Sequence, residues 1–151
     1  MKVKDVLALK GSVVIAVKPS ETIAALSQLL REKRIGAVIV SSNGRSIEGV
    51  ISERDVAYGL AVHGAKLHAL LVSDLMTKTV ITCAPGDDVA FVASTMLSRN
   101  IRHLPVVEET RVIGMVSIRD VLNHRTDDLQ QQTSLLRAFA SHTERAPSQD
   151  R

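Results

Sequence analysis

Two pairs of residues have the types and spacing to hold a small molecule that carries both phosphate and vicinal hydroxyls: Ser52 with Asp55, and Ser117 with Asp120. Each pair sits in a Gly-x-x-Ser-x-Arg-Asp pattern, once as Gly49-Val50-Ile51-Ser52-Glu53-Arg54-Asp55 and once as Gly114-Met115-Val116-Ser117-Ile118-Arg119-Asp120. A glycine at a strand end leaves room for a ligand to approach the backbone. A serine at a helix start stands among free amide N–H groups, where the helix dipole favours phosphate. An aspartate three residues on shares that helix face and can accept hydrogen bonds from both hydroxyls of a ribose. Phosphate at one end and diol at the other describe a nucleotide. The same Ser-x-x-Asp is also an ordinary helix cap, and on this motif alone both readings stand.

Arg54 and Arg119 lie beside the aspartates, and a guanidinium suits phosphate oxygens; the plainer reading of each is a surface ion pair. His103 could reach a phosphate or a base, or be a partly buried structural residue beside an apolar strand. His63 and His68 lack a third ligand at metal-site spacing and read as surface residues, so no metal site is expected. Cys83, the single cysteine, cannot form an internal disulfide and reads most simply as a small apolar side chain on a buried strand. The run Arg31-Glu32-Lys33-Arg34 reads as a solvated helix end. No Ser/His/Asp or Cys/His spacing suggests an activated nucleophile, and a Ser/Asp pair present in both halves is unlike a catalytic set, so no enzymatic activity is expected.

The elements that must position these residues come in two copies. The glycine motif recurs 65 residues later, and Pro19-Ser20-Glu21-Thr22-Ile23 answers to Pro85-Gly86-Asp87-Asp88-Val89 at an offset of 66. At the same 66, Arg34-Ile35-Gly36-Ala37-Val38-Ile39-Val40 answers to Asn100-Ile101-Arg102-His103-Leu104-Pro105-Val106, and Val3 to Leu7 resembles Val72 to Met76. Each copy opens with a β-rich stretch (13–17, 79–83) that runs to a proline, where Ser20 or Asp87 is placed to cap a helix. Helical spacing follows in Ile23, Leu26, Leu29 and Leu30, and in Val89, Val92, Met96 and Leu97. Two apolar runs around a polar turn then signal a hairpin (37–40 with 47–51; 104–107 with 112–116), and a second helix begins at each Ser-x-x-Asp. The order is β-α-β-β-α, twice, in a mixed α/β (α+β) chain. The boundaries are 1–64 for repeat one, 65–71 for a linker and 72–126 for repeat two. A C-terminal helix over 127–145 follows, then a disordered tail over 146–151. No Gly or Pro falls between Met115 and Ala146, so the last helix can run on as one, with an apolar stripe of Leu129, Leu136, Phe139 and Ala140 that a lone helix does not justify.

The chain has 151 residues, 45% hydrophobic, with a formal net charge of +3. That is enough for one sizeable core or two of about 60 residues each. The pI near 9.3 reflects cations spread along the sequence and not a basic block. With only Tyr58, Phe91 and Phe139 aromatic, a base-stacking surface has almost nothing to stack on, so a nucleic-acid partner is not expected. The N-terminus is charged too early for a signal peptide, and no apolar run approaches the roughly 18 residues of a membrane span. A soluble, cytoplasmic protein is the expectation.

The two Gly-h-x-Ser-x-x-Asp segments (h apolar), set in duplicate β-α-β-β-α context and joined by Ile101-Arg102-His103-Leu104-Pro105-Val106, resemble the signature of CBS (cystathionine-β-synthase) domains. The resemblance covers residues 1–126 and implies a tandem pair, or Bateman module, in which two repeats related by a pseudo-twofold axis form two clefts. Such clefts commonly hold AMP, ADP, ATP, NAD or S-adenosylmethionine. The resemblance places ribose on Asp55 and Asp120, and phosphate on Ser52, Ser117, Arg54, Arg119, Arg102 and His103. It places adenine against Ile81, Thr82, Cys83, Pro85, Ile101, Leu104 and Pro105 of repeat two, and against Ala16, Val17, Pro19, Ile35, Gly36, Ala37 and Val38 of repeat one. Repeat one departs from the pattern, with Gly36-Ala37 for Arg102-His103 and Ile39 for Pro105, so the second cleft is expected to bind more tightly and Asp120 to matter more than Asp55.

The function this implies is a non-catalytic regulatory sensor of energy state: an adenine nucleotide, AMP or NAD first, alters repeat packing and affinity for an unknown regulated protein. Its rivals are a structural interaction module with empty clefts, an S-adenosylmethionine-linked regulator and a nucleic-acid-linked one. A homodimer of four repeats is expected, since the resemblance implies apolar helix faces covered by a second pair.

Overall fold

The computed structural model describes residues 1–143, excepting the side chains at 126–128 and 142–143; the expected tail over 146–151 and the end of the C-terminal helix lie outside the described residues. Helix α1 (Val3–Lys10) leads into β1 (Ala16–Val17), α2 (Ile23–Lys33), β2 (Ala37–Val40), β3 (Gly49–Ser52) and α3 (Glu53–His63). A 3-10 turn over Gly64–Ala69 reaches α4 (Val72–Leu75), followed by α5 (Val89–Ser98), β4 (His103–Glu108), β5 (Arg111–Ser117) and α6 (Ile118–Thr143). In the first sheet β1 runs parallel to β2, which pairs antiparallel with β3. In the second, β4 and β5 form the hairpin, and the expected strand over 79–83 shrinks to one parallel bridge between Cys83 and Val106. Its two bonds, Cys83 N–H to Pro105 O at 3.0 Å and Val107 N–H to Cys83 O at 2.8 Å, keep the chain in the place that β1 takes in repeat one.

The helix caps fall later than the sequence spacing suggested. Pro19 and Ser20 form a turn, and Thr22 caps α2 by accepting from the Ala25 N–H at 3.2 Å. Asp87 closes the equivalent turn on the Ala84 N–H at 2.8 Å, leaving Asp88 at the N-cap of α5, where its carboxylate pairs with Lys2 at 2.9 Å. In repeat two the Asp87 side chain satisfies the turn, in repeat one the Glu21 N–H closes it on the Lys18 carbonyl at 3.1 Å, and in both the helix starts only when the chain leaves the turn. Within α5 the buried positions are Val89, Val92, Ala93 and Met96, while Leu97 is exposed.

The leading segments are exchanged between the repeats. Val3 N–H donates to Asp87 O at 3.0 Å and Val89 N–H to Met1 O at 3.1 Å; in mirror fashion, Val72 N–H donates to Glu21 O and Ile23 N–H to Leu70 O, both at 2.8 Å. Apolar side chains follow the backbone. Val3, Val6 and Leu7 join Cys83, Val89, Val92, Met96, Leu104, Val106, Val116 and Val121 in one core. Leu67 and Val72 join Val17, Ile23, Leu26, Leu30, Val38, Val40 and Ile51 in the other.

This exchange gives the motif glycines a packing role, and Gly114 also lines one of the two clefts between the repeats. A Cβ on Gly114 would stand 2.8 Å from Leu7 Cδ2, and one on Gly49 would stand 2.7 Å from Met76 Sδ and 2.9 Å from the Thr77 carbonyl. Leu7 and Met76 are 69 residues apart, at corresponding places in the two leaders, so each motif glycine is the seat for the other repeat's leading segment.

Candidate functional site

Two clefts lie between the repeats. The first, of about 180 Å³, is lined by Ser52, Glu53, Arg54 and Asp55 of repeat one, and by Thr77, Thr79, Val80, Ile81, Asn100, Ile101, Arg102, His103 and Pro105 of repeat two. The second, of about 620 Å³, reverses the arrangement: Ser117, Ile118, Arg119 and Asp120 face Val13, Val14, Ile15, Ile35, Gly36, Ala37 and Ile39. Each cleft therefore joins one repeat's Ser-x-x-Asp to the other repeat's first-strand and pre-hairpin segments. Of the residues on which the ranking of the second cleft rested, Pro105 lines the cleft of Asp55 and not that of Asp120, while Arg102 and His103 line both and so favour neither. Gly36, Ala37, Glu53, Arg102 and His103 line both clefts and form a common wall.

Both serines cap. Ser52 and Ser117 accept from the N–H of Asp55 at 3.4 Å and of Asp120 at 3.2 Å, while each aspartate Oδ2 accepts from its serine N–H at 2.8 Å. Asp55 lines the first cleft and Asp120 the second, and Oδ1 takes no hydrogen bond among the described residues in either aspartate. The two then differ. Asp55 Oδ2 also accepts from Ser52 Oγ at 3.1 Å, whereas Asp120 Oδ2 takes the ammonium of Lys10 at 2.7 Å. Burial pushes the Asp120 carboxyl upward in pKa, but the Lys10 and Ser117 hydrogen bonds outweigh it and hold it below the ordinary carboxylate value.

Arg54 forms no ion pair among the described residues; its Nη1 donates to the Asn100 carbonyl at 3.0 Å, spanning the repeats at the first cleft. Asn100 and Arg34, at φ of 52° each, turn the chain out of α5 and α2 in the left-handed region, setting one at the mouth of each cleft. Arg31 and Arg34, taken from sequence as a solvated helix end, line the second cleft, as does Lys10. Lys10 was missed because the leading segment was assigned to its own repeat; its counterpart at the 69-residue offset, Thr79, lines the first cleft.

Among the expected adenine contacts, Ile81, Ile101 and Pro105 line the first cleft, Ile35 the second, and Gly36 and Ala37 both. Ala16, Val17, Pro19, Val38, Thr82, Cys83, Pro85 and Leu104 line neither. Val17, Val38, Cys83 and Leu104 face the cores instead: hairpin alternation turns Ala37, Ile39, His103 and Pro105 to the clefts and Val38 and Leu104 inward, while Ile15 and Ile81 pack partly against the same cores as Val17 and Cys83 and also border a cleft. Cys83 donates to Pro105 O at 3.7 Å, and burial, helped by Asp87, pushes its thiol up to about 12. His63 and His68 are exposed.

His103 lies against Gly36: a Cβ there would be 3.2 Å from its Cε1 and 3.3 Å from both its Nε2 and Glu53 Oε1. Burial lowers its pKa; Glu53 and Asp120 pull it upward, and Lys10 and Arg102 push it down. The unfolded chain therefore binds a proton near pH 6.5 that the folded chain refuses, so stability contributed at neutral pH is lost as pH falls below that value. His103→Gln is expected to flatten the fall in urea midpoint between pH 7 and pH 5.5, and an unchanged slope would remove His103 as its origin.

The chain matches the CBS domain family over residues 3–61 and 72–127 and belongs to it as a tandem pair. A CBS-domain-containing protein from Agrobacterium tumefaciens superposes with a TM-score of 0.80 at 35% identity, covering 83% of this chain and 99% of that one. The CBS domain pair of protein MJ0100, solved with 5′-methylthioadenosine and S-adenosyl-L-methionine, gives 0.74 at 27% identity over 85% of this chain and 98% of that one. Uncharacterized protein MK0525 of Methanopyrus kandleri is 30% identical over 110 residues, which is 72% of this chain but only 56% of that protein's length. Among the described residues no helix is long and apolar enough to cross a membrane.

Proposed function

We propose that this CBS pair is a regulatory module that catalyses nothing itself and binds an adenosine-containing ligand between its repeats, altering its affinity for a regulated protein. The observation that carries the reading is the reciprocal construction of the clefts. Each sets a capped helix start and a carboxylate opposite an apolar slot, Val80, Ile81 and Ile101 in one, Val14, Ile15 and Ile35 in the other. A purine fits the slot, a ribose diol the carboxylate, and phosphate the helix start with its arginine. The complex of MJ0100 with two adenosine derivatives supports the ligand class; AMP, ADP, ATP and NAD share the same adenosine half. Binding acts through the interface because the cleft walls belong to different repeats, and a ligand shifts that packing only by its differential affinity for the two arrangements.

The proposal includes a cytoplasmic homodimer. Tyr58, Leu60 and Val62 of α3, Phe91 and Leu97 of α5, and Leu129 and Leu136 of α6 are exposed, an apolar surface that a second pair would cover. Thermal denaturation with adenosine, AMP, ADP, ATP, NAD and S-adenosylmethionine tests the ligand. At 100 times its Kd a binder adds about 2.7 kcal/mol, which raises Tm by roughly 5–10 °C in a chain of this length. No shift with any of them leaves the empty interaction module standing; a scattering mass of 16.3 kDa refutes the dimer.

A further inference from the structure

We propose that Lys10 is a specificity-determining residue that makes the second cleft selective for phosphate-bearing adenine ligands, while the first remains indifferent to ligand charge. The inference rests on the reading of the clefts as adenosine sites and adds to it which charge each accepts, and why.

The clefts are alike in construction and unlike in charge. In the second, the five cations Lys10, Arg31, Arg34, Arg102 and Arg119 meet two carboxylates, Glu53 and Asp120. In the first, Arg54 and Arg102 meet Glu53 and Asp55, two against two. The decisive difference is at the ribose carboxylate. Lys10 reaches across from the end of α1, donating to Asp120 Oδ2 at 2.7 Å and to the Met115 carbonyl at 2.9 Å. Asp120 thus presents no net negative charge to a ligand. Asp55 is held only by the neutral N–H and O–H of Ser52 and keeps its charge. Thr79, in the place of Lys10, brings no cation to it.

A sulfonium or other cationic adenosine derivative entering the second cleft meets an uncompensated positive field, and in the first a balanced one. A diphosphate gains in the second cleft from Arg119, Arg31 and Arg34, with Lys10 free to leave Asp120 for a phosphate oxygen once the ribose hydroxyls take over the carboxylate. The position of positive charge at the start of α6 adds to this, and the cleft's 620 Å³ leaves space for a phosphate tail.

The plainer role for Lys10 is to staple α1 onto β5 and α6. The two roles separate by ligand charge. Calorimetric titration of the wild type, Lys10→Met, Lys10→Gln and Lys10→Arg with ADP and with adenosine is the test. Glutamine can keep a hydrogen bond to Asp120 while removing the charge, and so guards against a variant that loses α1. Selectivity predicts that Met and Gln each weaken ADP by tenfold or more and adenosine by less than twofold, with Arg restoring most of the ADP affinity. Equal losses for both ligands, or none, overturn the role assigned to Lys10 while leaving the adenosine reading intact. If the neutral variants do not fold, Asp120→Asn decides: it frees Lys10 without replacing it, so adenosine affinity must fall more than ADP affinity, and equal losses for both overturn the role. If neither compound binds the wild type, the adenosine reading itself fails and the selectivity with it.

Discussion

Leu7→Ala is expected to destabilise the protein by about 2–5 kcal/mol, toward the upper part of the range for a buried leucine. Leu7 is 6% exposed and belongs to the core of the second repeat, although it stands over 60 residues before that repeat begins. Its Cδ2 occupies the space that a side chain at position 114 would need, and because that residue is Gly114, nothing nearby can swing in to fill the void left by truncation. Removing residues 1–10 goes further. It strips Val3 and Val6 from the same core and breaks the Val3–Asp87 and Val89–Met1 hydrogen bonds, so the second repeat is expected to lose its native packing. Urea denaturation reads both changes: a lowered midpoint for Leu7→Ala, and for the truncation no cooperative transition assignable to repeat two. A midpoint unchanged in Leu7→Ala would mean that the leading helix does not complete this core.

The same exchange divides what the sequence made legible from what it hid. Periodicity and capping are local, so the hairpins, the helix starts at Ser52 and Ser117 and the continuation of α6 past its repeat could be read directly. The duplication told that the halves are alike, and the family resemblance told that clefts lie between them. Neither told which half of one cleft faces which half of the other, because a repeat offset is blind to exchange. Val3 to Leu7 and Val72 to Met76 match equally well whether each leader packs on its own repeat or on its neighbour. Only the glycines carried the information: Gly49 and Gly114 read as openings for a ligand, and each is also the opening for the other leader. Val17 and Cys83 fill cores while Ile15 and Ile81, two residues earlier on the same side of the chain, pack partly on those cores and also border a cleft, and hydrophobicity does not distinguish them.

Gly36, Ala37, Glu53, Arg102 and His103 belong to both clefts, so if the clefts hold ligands as proposed, a ligand in either one meets a wall of the other. The His103 ring rests on Gly36, where Arg102 has its counterpart, and the absence of a side chain there lets the repeats close on one another. A phosphate brought to Arg102 from one cleft must compete with the demand of the other. Coupling of this kind is reciprocal, and its size is the difference in affinity measured with the neighbouring cleft filled and empty.

Asp55→Ala is expected to weaken adenosine binding by roughly tenfold to a hundredfold, the loss that follows when a charged acceptor worth about 1.5–3 kcal/mol is removed, and to do so more than Asp120→Ala. On the proposed reading Asp55 is the acceptor for the ribose in the first cleft, and among the described residues its Oδ1 takes no hydrogen bond and no cation pairs with its Oδ2. In the second, Asp120 is already shared with Lys10. Its removal releases an ammonium that can reach ligand oxygens, which offsets part of the loss, and offsets most of it for ADP. The ranking is thus opposite to the one that the richer residues of repeat two suggested, because Arg102 and His103 line both clefts, Pro105 lines only that of Asp55, and Lys10 pairs with Asp120. Asp55→Ala also deletes one half of a capping box, at a cost to stability of about 0.5–2 kcal/mol. Asp55→Asn separates the two effects: its single amide oxygen can still accept from the Ser52 N–H and keep the cap, which turns the NH2 toward the ribose, so stability should stay near wild type while affinity for adenosine falls nearly as far as in alanine. Titration calorimetry on the three variants, at a temperature where circular dichroism shows each folded, gives the comparison. A greater loss for Asp120→Ala than for Asp55→Ala with adenosine would contradict the assignment of the carboxylates to their clefts.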